Sequence, residues 1–172
     1  EGMLRFSMKK GDGALEAVRN NPYLLSGDAC GVEFSTADEI AMSMGMAADS
    51  SCRMEAAVTF ELSHNERNGH VFLPRGKLIA ATAQLLDCEP DYIENALDAL
   101  TERGAVVCEP VANVEACYLR RLWEAETYIQ AKLDLLLAAE PDQSRQAERT
   151  VEEIQREQGI TYAPQQRQAV ET

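Results

Sequence analysis

Apolar residues recur at helical spacing through the middle of this chain. Met54, Val58 and Leu62 follow an i, i+4, i+8 rhythm and predict a helix over 51–67. Leu78, Ile79, Leu85 and Leu86 predict a second helix over 75–86. Ile93, Ala96, Leu97 and Leu100, spaced i, i+3, i+4, i+7, predict a third that opens at Pro90 and ends at Gly104. Between them lie runs without helical period. His70 to Leu73 is β-prone and closed by Pro74, and Ala105 to Glu109 and Glu115 to Leu119 predict strands flanking a loop over 110–114. Helix, strand, helix, helix, strand, loop, strand is the order of a winged helix. Its expected core is Val58, Leu62, Leu78, Leu85, Ile93, Leu97 and Leu100.

The flanks read differently. Ala14 to Asn20 predicts a short helix, stopped by Asn21-Pro22 because the residue before proline is pushed out of the helical region. Gly27 to Phe34 is rich in small residues. Ser35-Thr36-Ala37-Asp38 has the pattern of a capping box, predicting a helix through Met44 that stops at Gly45. The unit is helix, glycine-bearing hairpin, helix. After residue 120 the pattern predicts a helix over 122–139, a Pro141-Asp142 break, a polar helix over 144–158 and a new helix at Pro164. A helix that opens and ends a turn or two later reads as cut rather than finished. The expectation is a mostly α chain with a small β-wing: a helix-hairpin-helix module over 1–48, a winged-helix module over 49–120, and a helical linker with the start of a further domain over 121–172.

Composition narrows the function. With 172 residues, 45% apolar and 26% charged, the chain suits one large or two small globular domains. The longest apolar stretch in the C-terminal half, Leu135 to Ala139, is far short of the ~20 residues of a membrane span. No secretory leader is visible, so a cytoplasmic chain without membrane contact is expected. The net charge is −13. Residues 1–63, 64–120 and 121–172 are each net acidic, which counts against tight DNA binding, since that draws on phosphate neutralisation by Lys and Arg. Five cysteines at irregular gaps, with no C-x-x-C and no histidines at finger spacing, read as free thiols rather than a metal site. Nothing has the pattern of a catalytic triad.

Several short motifs then fall in a specific order. Asn21-Pro22-Tyr23-Leu24-Leu25, Gly31 to Ala41 (G-V-E-F-S-T-A-D-E-I-A), Gly69-His70-Val71-Phe72-Leu73-Pro74, Tyr118 to Leu122 and Ile160 to Val170 together resemble RecD-like ATP-dependent DNA helicases, relatives of the exodeoxyribonuclease V alpha chain. The resemblance implies an N-terminal segment that ends just ahead of the first motor domain of a 5′ to 3′ helicase of recombination and repair. It also implies Mg-ATP as cofactor of the parent protein, with Gln166 contacting adenine there through an amide that both donates and accepts. These 172 residues carry no G-x-x-x-x-G-K-[ST], so no cofactor and no catalysis are expected of them alone. Two positions depart from the family pattern. Glu33 stands where the hairpin has its second glycine, and Arg120 where a proline follows Tyr-Leu, which leaves the end of the third strand less constrained.

The candidate DNA-backbone contacts are Gly31, Val32 and Thr36 in and after the hairpin, with Lys9 and Lys10. The expected partners are DNA (weakly and without sequence preference), the remainder of the helicase chain, and a protein at helix 90–103. That helix turns outward Asp91, Glu94, Asn95, Asp98 and Glu102, with no Lys or Arg to meet phosphate. The rival readings are a free-standing winged-helix transcription regulator and a protein-interaction module. Trp123 and the stripe Leu133, Leu136, Leu137 are expected to pack the helix after residue 120.

Overall fold

A computed structural model describes residues 13–27, 30–139 and 151–171. The chain divides into two compact units, Glu1–Ile129 and Gln130–Thr172. The described elements are α1 (Ala14–Asn20), a 3₁₀ turn (Pro22–Ser26), α2 (Phe34–Ser43), α3 (Ser51–Arg67), β1 (Phe72–Pro74), α4 (Arg75–Leu86), α5 (Pro90–Glu102), β2 (Val106–Val111), β3 (Val114–Leu119), α6 (Arg120–Ala138), α7 (Val151–Gln158) and α8 (Pro164–Glu171). The chain is thus mostly helical, with one small antiparallel sheet of order β1-β3-β2.

In the first unit α3 is the central strut. It contacts α2, α4, α5, the 3₁₀ turn, β1 and β3. Met54, Ala57, Val58 and Leu62 line its buried side. One continuous core runs from Tyr23 to Leu119 and takes in Phe34 and Ala37 of α2, Leu78 of α4, and Ile93, Leu97 and Leu100 of α5. Thr82, the buried polar side chain of α4, donates its hydroxyl to the Leu78 carbonyl four residues back at 2.8 Å. That satisfies a group which would otherwise be costly to bury.

Several expectations need correction. Leu85 is exposed and Leu86 takes its place inside, because the buried face of α4 is Leu78, Ile79, Thr82, Ala83 and Leu86. A residue seven positions after Leu78 and one eight after it point about 100° apart, and the core chose the second. The capping box does not form. Phe34 is drawn into the core against Tyr23 and Phe60, so α2 starts there with Glu33 as N-cap and no side-chain cap bond. Asp38 then lies beyond the first turn and pairs elsewhere. The hairpin loop is two residues, Ala112 and Asn113, rather than five, with Ala112 at φ +52. Leu133, Leu136 and Leu137 are exposed and do not pack as expected; i, i+3, i+4 spacing makes a stripe whether or not a partner covers it.

Arg120 also behaves differently from expectation. Its backbone N–H donates to the Ala105 carbonyl at 3.1 Å, a bond proline could not make. Its guanidinium Nε donates to the Gly104 carbonyl. The end of β3 is held by the residue that was expected to loosen it.

In the second unit α7 and α8 contact each other. The Tyr162 N–H donates to Gln155 Oε1 at 2.8 Å, and Arg167 pairs with Glu152. The predicted segment 140–150 lies outside the described residues.

Candidate nucleic-acid interface

The turn between the 3₁₀ segment and α2 is built by short-range hydrogen bonds. Cys30 and Gly31 N–H groups donate to the Gly27 carbonyl at 3.1 and 3.0 Å, and Val32 N–H donates to the Leu25 carbonyl at 3.0 Å. Gly31 sits at φ +68, where a side chain is strained, and nothing crowds its Cα. The N–H groups of Gly31 and Val32 are therefore engaged in holding the turn. The donors this junction can offer an anion are the first N–H groups of α2, on Phe34, Ser35 and Thr36, which have no acceptor within the helix. The positive end of the helix dipole lies at the same place. Of the expected contacts, Thr36 is thus placed in the first turn of α2, while Gly31 and Val32 shape the approach. Lys9 and Lys10 lie outside the described residues.

Glu33 caps this junction from the wrong side for phosphate. Its exposed carboxylate stands at the N-terminus of α2, 3.8 Å from Arg67 Nη1 across the gap to α3. Both partners are largely exposed, so the pair contributes little. A cleft of about 280 Å³ opens between the turn and α3. Thr59, Phe60, His64 and Arg67 line it from the α3 side and Gly31 and Glu33 from the turn. Phe60 and His64 are tilted against each other at 5.7 Å. Sequence reasoning passed over these α3 residues. Phe60, His64 and Arg67 at i, i+4, i+7 were the signal that they share a face.

The junction is anchored behind by a polar clamp. Asp38 accepts from Arg53 Nε at 2.8 Å and Nη2 at 2.9 Å, and from the Tyr23 hydroxyl at 2.6 Å. Arg53 also donates to the Ala48 carbonyl at 3.1 Å. The Arg53 hydrogen bonds hold the Asp38 carboxyl below its ordinary range despite burial, and burial together with the Asp38 carboxylate pushes the Tyr23 phenol up. The clamp joins the 3₁₀ turn, α2 and α3, and so sets where the N-terminus of α2 points.

Elsewhere several arginines are occupied. Arg75 meets Asp98 at 3.0 Å and Glu115 at 3.7 Å, Arg103 meets Glu55 at 2.6 Å, and Arg121 donates to Glu66 through Nη1 at 2.7 Å. The outward side chains of α5, Asp91, Glu94, Asn95, Asp98 and Glu102, are all exposed. That face presents carboxylates to whatever approaches it. Gln166 is exposed in the second unit, and its Oε1 accepts from the Ala163 N–H at 3.0 Å at the start of α8. Among the described residues no cluster of three or more His, Cys, Asp or Glu could hold a metal ion. No helix among them is long and apolar enough to cross a membrane.

Residues 5–72 match the family model of the HHH domain of the ATP-dependent RecD2 DNA helicase. The span takes in α1, the turn, α2 and α3 and ends in β1. This match over residues 5–72 supports a RecD-like helicase N-terminal region, as the order of the motifs implied. An HHH domain of this kind suggests a DNA-binding accessory segment.

Proposed function

We propose that this chain is the accessory N-terminal segment of a 5′ to 3′ DNA helicase of recombination and repair, meeting the DNA backbone at the junction of the turn and α2. The observation that carries this reading is the coincidence of the HHH match over 5–72 with a helix N-terminus whose first N–H groups have no acceptor within the helix. Phosphate contact through backbone N–H groups reads no sequence, so binding is sequence-independent.

The second part of the reading concerns 49–120, taken as a winged helix that works as a spacer or protein contact. The order β1-β3-β2 with α4 and α5 beside it supports the architecture. The acidic, exposed face of α5 supports a protein partner, because a carboxylate beside phosphate adds repulsion. Residues 121–172 lead toward the first motor domain. In the parent protein Gln166 contacts adenine of Mg-ATP. One lone pair of its carbonyl oxygen and its amide N–H groups can serve that role while Oε1 accepts from Ala163.

The test is fluorescence anisotropy of labelled oligonucleotides against the 172-residue chain across a salt series. Expected is binding at or weaker than about 10⁻⁴ M at physiological salt, indifferent to sequence and lost as salt rises. Sequence-selective binding would favour a free-standing transcription regulator instead.

A further inference from the structure

The β2–β3 hairpin places two cysteines directly opposite each other. Cys108 and Cys117 are register partners, with their sulfur atoms 3.0 Å apart. Opposed residues of an antiparallel pair hold their Cα atoms about 4.5–5.5 Å apart. That lies within the roughly 4.4–6.8 Å that a disulfide spans. Cys117 is fully buried, whereas Cys108 is only half-buried. Cys30, Cys52 and Cys88 have no sulfur partner among the described residues.

We propose that Cys108 and Cys117 are a thiol–disulfide site, in which low-molecular-weight disulfides of the glutathione type oxidise the pair reversibly and staple β2 to β3.

The atoms balance as follows. The Cys108 thiolate attacks one sulfur of glutathione disulfide, forming a mixed disulfide and releasing one glutathione thiolate. Cys117 gives up its proton to solvent and attacks Cys108 Sγ, expelling the second glutathione. The protein loses two electrons and two protons, and the small disulfide is reduced to two thiols. The division of labour is built in. The contact with Cys117 pulls the Cys108 pKa down to about 7, Thr101 Oγ1 lies 3.7 Å from the same sulfur, and the contact with Cys108, together with burial, keeps Cys117 protonated until it is needed. A low-pKa thiol with access attacks first and a neighbour resolves.

The test equilibrates the native chain with glutathione redox buffers, blocks remaining thiols, and cleaves with a glutamate-specific protease. Cuts after Glu102, Glu115 and Glu124 place the two cysteines in separate peptides, 103–115 and 116–124. Expected is loss of two of the five thiols, a single cross-link between those peptides, and full reversal by reductant. Cys117→Ser should stop at one glutathione on Cys108, and in denaturant the pairing should scatter over other cysteines. An unchanged thiol count in native protein, a stable glutathione adduct on the unmutated chain, or a link involving Cys30, Cys52 or Cys88 would each overturn the proposal. Formation of the same link equally fast in denaturant would overturn it too, since the fold would then not be what selects the pair.

Discussion

Arg53 grips both carboxylate oxygens of Asp38, Nε on Oδ1 at 2.8 Å and Nη2 on Oδ2 at 2.9 Å, while the Tyr23 hydroxyl closes on Oδ1 from the other side. Two motifs that stand apart in the sequence, the Asn-Pro-Tyr turn and the Ala-Asp of α2, thereby share one carboxylate. A two-pronged guanidinium bond to a carboxylate is among the stronger polar contacts a protein makes.

Asp38→Ala should lower stability by about 1.5–3 kcal/mol, the range for hydrogen bonds to a charged group, read by denaturant titration. The pH dependence has a definite sign. Because the folded Asp38 pKa lies below its ordinary 3.8, the folded state favours the ionised form. Its contribution is complete above that value and falls away as pH drops through the lower folded pKa. Wild type should therefore lose its advantage over Asp38→Asn in strong acid; an advantage that grew on acidification would contradict the clamp.

Leu97→Ala should cost about 2–5 kcal/mol, because Leu97 is fully buried in α5 and the variant leaves a cavity. Leu85→Ala, on the exposed side of α4, should change stability by less than about 0.5 kcal/mol. Thermal or urea unfolding of the pair separates the two faces, and equal losses would refute the placement of α4.

Gly104 holds φ +68, and a Cβ there would sit 2.7 Å from Arg120 Nη2. Gly104→Ala should cost about 1–2 kcal/mol for the left-handed backbone. The side-chain part of the clash is avoidable, since the guanidinium can swing away. In an Arg120→Ala background the same substitution should cost slightly less, never more; a double-mutant cycle measures the difference.

Nucleotide binding should be absent from the isolated chain. An adenine contact without the loop that cradles the phosphates omits most of the binding free energy. Calorimetric titration with Mg-ATP should show no micromolar association and a coupled assay no hydrolysis. Micromolar binding would show that these residues build a nucleotide site of their own.

How much of this was readable from sequence depends on whether the determinant was local. The ends of α3, α4 and α5 were legible because Gly69, Pro74, Pro90 and Gly104 act on their own neighbours. The partner of Asp38 was not, since Arg53 reaches it across a bend and the capping pattern gave a closer, wrong partner. The thiol pair was hidden by register. A loop over 110–114 would oppose Cys108 to Ala116, and a one-residue slip turns a side chain to the other face. The actual turn puts an alanine, Ala112, at positive φ, where a glycine or asparagine ahead of Asn113 would have signalled it. At the candidate interface the glycine-bearing turn was visible, but which N–H groups it consumes was not. That depends on where α2 begins, and Phe34 packing in the core decides it.

The proposed DNA contact lies at the N-terminus of α2 and not at α5. Glu33→Gly and Asp98→Lys, compared by anisotropy across a salt series, test it most directly. Glu33 has φ −62, so glycine is accommodated, and glycine is a good N-cap. Removing a carboxylate from a helix N-terminus relieves about 0.3–1 kcal/mol of competition, so affinity should rise about two- to fivefold and the salt dependence should steepen. Asp98→Lys, which also breaks the pair with Arg75, should change affinity less. No effect of Glu33→Gly together with strong tightening by Asp98→Lys would place the DNA on α5 and contradict the account.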